Sequence, residues 1–274
     1  MVVLVGAALG ALLLPLGAWW WSKKTQPTIR VAVKEDKMLP KDVKELASKP
    51  GGCKEAFSPN PSADPEWARY APLGPSDTAF FPWPGFVYWS EADCAKFKAI
   101  CAKLQIPINS AAFVLRSESG LIPKTLTKHK VFNKDGSLKG ELFSGGLCQL
   151  TVGANVPGYT KNADIERFAG LPISEQLDVI AGFWAKLPLR PSLSPGRMYM
   201  ANFLPACMWW EQGKILGEAE GKAKLPGGLT TGAVYAQNPG FDPGKKRGLF
   251  TVGDVLDYVG KTIQRDASAL EKRT

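Results

Sequence analysis

Arg116-Ser117-Glu118-Ser119-Gly120 closes an apolar run, Ala111-Ala112-Phe113-Val114-Leu115. About thirty residues later comes Ser144-Gly145-Gly146-Leu147-Cys148-Gln149-Leu150-Thr151. The first run reads as a buried helix whose last turn carries Glu118 and which stops at Gly120. A carboxyl in that place is shielded on one side and open to a cleft on the other; taken alone, it is also what an ordinary surface Glu closing a helix looks like. In the second run Gly145 and Gly146 permit a positive φ or a close approach to a neighbour. The Gln149 amide both donates and accepts, which suits an N-acetyl group or a sugar hydroxyl and equally suits backbone groups of its own chain.

These residue types match one chemistry. Glycosidic cleavage needs a proton on the leaving oxygen while positive charge builds on the ring. A carboxylic acid supplies that proton near neutral pH only when its pKa is raised, usually by apolar surroundings. A third run, Arg197-Met198-Tyr199-Met200-Ala201-Asn202-Phe203-Leu204-Pro205-Ala206, offers further polar and aromatic groups.

Together the three runs resemble the lytic transglycosylases of the lysozyme superfamily, in particular phage- or virion-associated members. The third run departs from the family's Ala-Tyr-Asn-Ala-Gly and is closer to a Tyr-x-x-x-Phe-Leu pattern. The resemblance spans roughly residues 90 to 258. It implies a mainly α, lysozyme-like (α+β) domain in which a small β-hairpin region forms one lip of the cleft. It also implies one catalytic Glu, here Glu118, acting first as acid and then as base on the muramic acid 6-hydroxyl, with no cofactor and no metal. Ser119, Gly146, Gln149, Tyr199 and Asn202 match positions that contact substrate or support the Glu; Tyr199 and Asn202 remain alternatives for the supporting role. The partner implied is the glycan strand of peptidoglycan. A hydrolytic lysozyme is the alternative enzyme, with Asp135 or Glu141 as second carboxylate. A wall-binding or structural virion protein is the alternative without catalysis.

Composition agrees with a globular protein: 45% of residues are hydrophobic and 22% charged. The net charge of +9 favours acidic partners such as a wall polymer or anionic lipid. No arginine-rich recognition helix is visible, so a specific nucleic-acid partner is not expected. The five cysteines, Cys53, Cys94, Cys101, Cys148 and Cys207, contain no C-x-x-C pair, and their odd number is not that of a fully paired framework. Most read as small buried residues. His129 is the only histidine, which excludes a multi-histidine metal site.

Three regions follow. Residues 1–22 hold an uncharged run, Val2 to Trp21, long enough to cross a bilayer as a helix and to bind membrane lipid. Trp19, Trp20 and Trp21 would lie at the interface, with Lys23 and Lys24 beyond. The lack of a preceding charge and the bulky exit favour a retained anchor over a cleaved signal peptide. The two lysines would hold the remainder on the cytoplasmic side, whereas a wall enzyme acts in the periplasm. Anchoring in a viral internal membrane removes that conflict; a bacterial inner membrane is the other expectation. Residues 23–85 are proline-rich and read as an extended tether, with Trp67, Tyr70, Phe80, Phe81 and Trp83 available to pack. Residues 86–274 form the catalytic domain. In it Ser90 and Asp93 begin a helix that stops before Pro107, Asn109 caps the next, and Asn133-Lys134-Asp135-Gly136 turns a hairpin. Ile173 opens an amphipathic scaffold helix. Asp242 to Asp254 looks superficially like a calcium loop, but lysine and arginine occupy ligand places; it reads as a turn before a last helix from Val252 to about Leu270, capped at Gly253-Asp254.

Overall fold

The computed structural model describes residues 66–73, 80–132, 138–152, 156, 158–189, 193–226, 228–245 and 247–272. The architecture is mainly α with small sheets. Helix α1 (Glu91–Leu104) leads into α2 (Ile108–Ser119); strands β1 (Leu126–Phe132), β2 (Leu138–Gly145) and β3 (Leu150–Thr151) follow. Then come α3 (Asn162–Gly170), α4 (Ile173–Trp184), α5 (Pro195–Phe203), β4 (Ile215–Glu218), α6 (Thr231–Gln237), β5 (Leu249–Thr251) and α7 (Val252–Glu271).

Helix α2 is the centre. Residues 108–115 are all buried, polar Asn109 and Ser110 included. Buried polar groups must be hydrogen-bonded, and both are. The Ser110 hydroxyl donates to the Leu193 carbonyl at 2.6 Å. Asn109 was expected to cap the helix; instead Pro107 takes the cap position and the Asn109 Oδ1 accepts the Phe81 amide at 2.9 Å. The reason is the neighbouring chain: the residue 80–83 segment runs against α2 and needs an acceptor there. Gly120 ends the helix in the left-handed region (φ 68°), and Leu121 continues in it (φ 66°). The Trp89 indole N–H donates to the Leu121 carbonyl at 3.0 Å, pinning the turn that follows Glu118.

Helix α1 begins as its sequence indicates. Ser90 and Asp93 form a capping box, each side chain accepting the other's backbone amide. Hairpin β1–β2 is antiparallel, with Leu126 opposite Gly145 and Thr127 opposite Ser144; β3 adds on the far side of β2. The expected turn at Asp135 lies outside the described residues, but the strands it joins pair as expected. Helix α4 starts at Ile173 behind Pro172, without a side-chain cap. The last helix begins at Val252 as read. Its capping box is made by Thr251 with Asp254, not by Gly253. Asp242 accepts the Tyr235 hydroxyl and the Arg247 and Gly248 amides. Burial opposes its ionised form, but these bonds and the Arg247 charge hold its pKa below the usual value.

The tether expectation changes in its described part. Trp67, Tyr70, Leu73, Phe80, Phe81 and Trp83 are all buried in the common core. Aromatic side chains bury large areas and dominate core energetics, so residues 66–73 and 80–83 pack on the helices. Glu66 anchors it further: its carboxylate accepts Ser194 Oγ at the α5 cap and Arg197 Nε at 3.1 Å. Cys94 on α1 is disulfide-bonded, while Cys101, Cys148 and Cys207 are buried free thiols. No helix among the described residues is long and apolar enough to cross a membrane. Residues 2–21, where an anchor is expected, lie outside them.

Gly85 gives a direct test of this packing. A Cβ there would lie 1.9 Å from the Gly120 carbonyl oxygen, a backbone atom that cannot turn aside. Gly85→Ala should therefore cost about 1–3 kcal/mol, the usual range for overpacking. The check is urea unfolding, with a lower midpoint at unchanged slope; an unaltered midpoint would mean that residues 80–90 do not pack on the end of α2.

Candidate active site

Glu118 sits in the last turn of α2, partly buried. Two elements converge on it. Helix α5 brings Asn202, whose Nδ2 donates to Glu118 Oε1 at 3.1 Å. It also brings Tyr199, one turn earlier, whose ring packs edge-on against Phe113 of α2 at 6.4 Å. The turn between β2 and β3 brings Cys148. Its thiol is pushed up to about 12 by burial and then by the negative charge of Glu118. The Tyr199 phenol is raised for the same two reasons, burial first, with Tyr258 adding and a Ser117 hydrogen bond offsetting part. Among the carboxylates, Glu118 is the one whose charge acts on both groups.

Arg116, one turn from the helix end, does not serve Glu118. Its guanidinium binds Asp266 Oδ1 on α7 at 2.6 Å, and Trp83 Nε1 donates to the other oxygen at 3.2 Å. The walls of the site are therefore largely apolar or weakly polar: a thiol, a phenol, an amide and the aromatic group of Phe113, Phe203 and Phe241 around Tyr199.

The other sequence-picked residues are placed differently. The Ser119 hydroxyl donates back to the Leu115 carbonyl at 3.0 Å, and the side chain is buried. Gln149 adopts a left-handed backbone (φ 50°). Its Oε1 accepts Thr127 Oγ1 at 2.7 Å, and its Nε2 donates to the Gly146 and Thr125 carbonyls at 3.1 and 3.3 Å. Both ends of the amide are thus used within the chain, shaping the turn. Gly146 (φ 72°) is needed for internal room: a Cβ would stand 2.4 Å from the Phe168 ring and 2.7 Å from Gln176 Oε1. Asp135 lies outside the described residues. Glu141 is an exposed residue of β2 whose backbone carbonyl accepts the Asn162 amide at 2.8 Å.

One organising residue was read only as scaffold. Gln176 is fully buried on α4; its Oε1 accepts the Leu147 amide at 2.8 Å. Its Nε2 donates to the Pro123 and Leu171 carbonyls at 3.1 and 3.0 Å. It thereby ties the glycine turn to the loop that leaves Glu118. The signal was present: Ile173, Gln176, Leu177 and Ile180 follow the spacing of one buried helix face, with an amide at a core position.

Comparison with known proteins adds no relative: no family model matches, and searches of curated proteins and of solved structures return no match.

Replacing Gln176 with Leu keeps the volume and strands a buried N–H and two carbonyls. A buried group left unsatisfied costs about 1–3 kcal/mol, so Gln176→Leu should lower thermal stability and loosen the turn. Amide exchange at Leu147 is the local readout: it should speed up well beyond the global change. Equal effects throughout the domain would show that Gln176 stabilises the fold without fixing the turn.

Proposed function

We propose that this protein is a peptidoglycan lytic transglycosylase of lysozyme-like fold. The observation that carries the reading is the setting of Glu118. It ends the buried helix, it accepts the Asn202 amide, and it is the carboxylate felt by both Cys148 and Tyr199. A reaction that uses one carboxyl group twice needs such a setting. Apolar walls let the group hold a proton, and a neighbouring donor lets it release one.

The chemistry runs in two steps. Glu118 gives its proton to the oxygen between MurNAc and GlcNAc, and the bond to the MurNAc ring breaks as positive charge spreads over the ring. The resulting Glu118 carboxylate then takes the proton of the MurNAc 6-hydroxyl, whose oxygen closes a 1,6-anhydro ring. The carboxyl ends in its starting state, and water is not consumed. Asn202 keeps the carboxylate aimed in both steps. The positive charge of the chain favours an acidic wall polymer.

Glu118→Gln preserves shape and removes the ionisable proton. General acid–base catalysis contributes about 10²- to 10⁴-fold, and one residue supplies both transfers here. Cleavage of purified peptidoglycan should fall to background while glycan binding persists. Products of the natural protein should end in anhydro-muramic acid. Reducing ends, together with an inactive Glu141→Gln or Asp135→Asn, would give the site to a two-carboxylate hydrolase; full activity of Glu118→Gln would remove the site altogether.

The uncharged run Val2 to Trp21 supports an anchor in a viral internal or bacterial inner membrane, with the domain acting in the periplasm. The full chain should partition with detergent, and the chain lacking Met1 to Trp21 should stay in water with unchanged circular dichroism. Recovery of the full chain in the aqueous phase, with a mature end beyond Trp21, would replace the anchor by a cleaved signal peptide.

A further inference from the structure

Asn202 is 3% exposed, and its side chain is used at one end only. The Nδ2 donates to Glu118 Oε1 at 3.1 Å, while the Oδ1 is buried with no hydrogen-bond partner among the described residues. This is an unusual state for a buried amide. Buried polar atoms are satisfied in the great majority of cases, and Gln149 and Gln176 a few residues away have both ends engaged. Among the described residues, the contact with Glu118 is what holds the Asn202 amide in this orientation.

The consequence follows from what a carboxyl group can accept. Ionised, Glu118 only accepts, and the amide must present its N–H₂. Protonated, it gains an O–H donor, and the same amide turned by half a rotation presents Oδ1 to receive it. Either orientation leaves one amide end unsatisfied, so neither is favoured by the rest of the protein. We propose that Asn202 is a positioning residue whose amide reverses with the protonation of Glu118 and holds the carboxyl group in one place in both of its states. This rests on the functional reading above and specifies how one carboxyl group keeps its aim while serving as acid and then as base.

Cys148, Tyr199 and Arg116 are each engaged differently. Cys148, from the turn, is a weak hydrogen-bonding group, its thiol kept protonated by burial. Tyr199, from α5, hydrogen-bonds Ser117 and has Tyr258 of α7 near it. Arg116, on the same helix as Glu118, is paired with Asp266 of α7.

The test is a titration of Glu118 in full-length protein. The protein is labelled with ¹³C-carboxyl glutamate, and the resonance is assigned by its loss in Glu118→Gln. Asn202→Leu is close in shape and has neither donor nor acceptor. A fixed donor stabilises only the carboxylate, so removing it would raise the Glu118 pKa by about one unit or more. A reversing amide stabilises both states, so Asn202→Leu should move the pKa by less than about half a unit. It should nevertheless lower kcat about tenfold or more, with KM nearly unchanged, because aim is lost. Asn202→Asp tests contact: a second carboxylate beside Glu118 should raise the upper apparent pKa of the pair by more than about one unit. If Asn202→Leu does not fold, Asn202→Ser is titrated against the same half-unit limit. A rise of one unit or more, an unchanged kcat, or an unmoved titration in Asn202→Asp would each overturn the proposal. Failure of the functional reading is separate: it would appear as full cleavage by Glu118→Gln, whatever the titration gives.

Discussion

The first two turns of α2 have no contact with water, and most of the domain is arranged to make that possible. A helix buried on all sides must be surrounded, and one carrying Asn109 and Ser110 must be surrounded by the right backbone groups. The Leu193 carbonyl at the approach to α5 satisfies Ser110, and the Phe81 amide satisfies Asn109. The proline-rich segment is thus part of the wall. Proline removes backbone donors and favours extended chain, so such a segment can lie against a helix without seeking a sheet partner. Its aromatic side chains supply the apolar area.

Where α2 leaves the core, its end is fixed by other elements. Gly120 stops the helix, Trp89 holds the Leu121 carbonyl, and Gly85 allows the chain to lie directly on Gly120. Gln176 then joins the outgoing loop at Pro123 to the glycine turn at Leu147. Each bond contributes only about 0.5–1.5 kcal/mol net. Their effect is mainly geometric: the end of the buried helix and the Cys148 turn cannot move independently. A buried amide at Gln176 makes that link, which another leucine packed in its place would not.

The order of elements, the end of α2 at Gly120, the hairpin strands and the start of the last helix were legible because each is a local signal: a cap, a glycine, an alternation, an apolar stripe. So was the place of Glu118 in the last turn of that helix. The packing of residues 66–73 and 80–83 was legible only in their aromatic side chains, since proline density looks the same in a free tether and in a packed wall. Gln149 and Gly146 show a second limit. Their residue types fit a sugar site, but the bonds of Gln149 go to Thr127, Thr125 and Gly146, and the missing side chain of Gly146 makes room for Phe168 and Gln176. These contacts are nonlocal or depend on a turn whose backbone sign a sequence does not display. Asn109 failed as a cap for a similar reason, because its partner lies far back in the chain.

Helix α5 is the element on which these constraints meet. Its first turn is held by Glu66 through Ser194 and Arg197, and Arg197 Nη1 also donates to the Met208 and Trp210 carbonyls at 2.7 and 2.8 Å. The Arg197–Glu66 pair is shielded from water, with side-chain exposures of 12% and 15%. A pair so enclosed carries a desolvation cost and is weak evidence for stability, but breaking one half leaves an uncompensated charge. Its structural result is more definite than its energy: it joins the start of the described chain to the helix that carries Tyr199 and Asn202. The final turn of that helix then delivers the amide that touches Glu118. Thus the segment leading toward the N-terminus and the side chain that aims the carboxyl group are connected through nine residues of one helix, with a charged clamp at one end and an incompletely satisfied amide at the other. The first end is over-determined by several bonds. The second is held by one, which is the condition under which a buried amide can reorient without disturbing the fold around it.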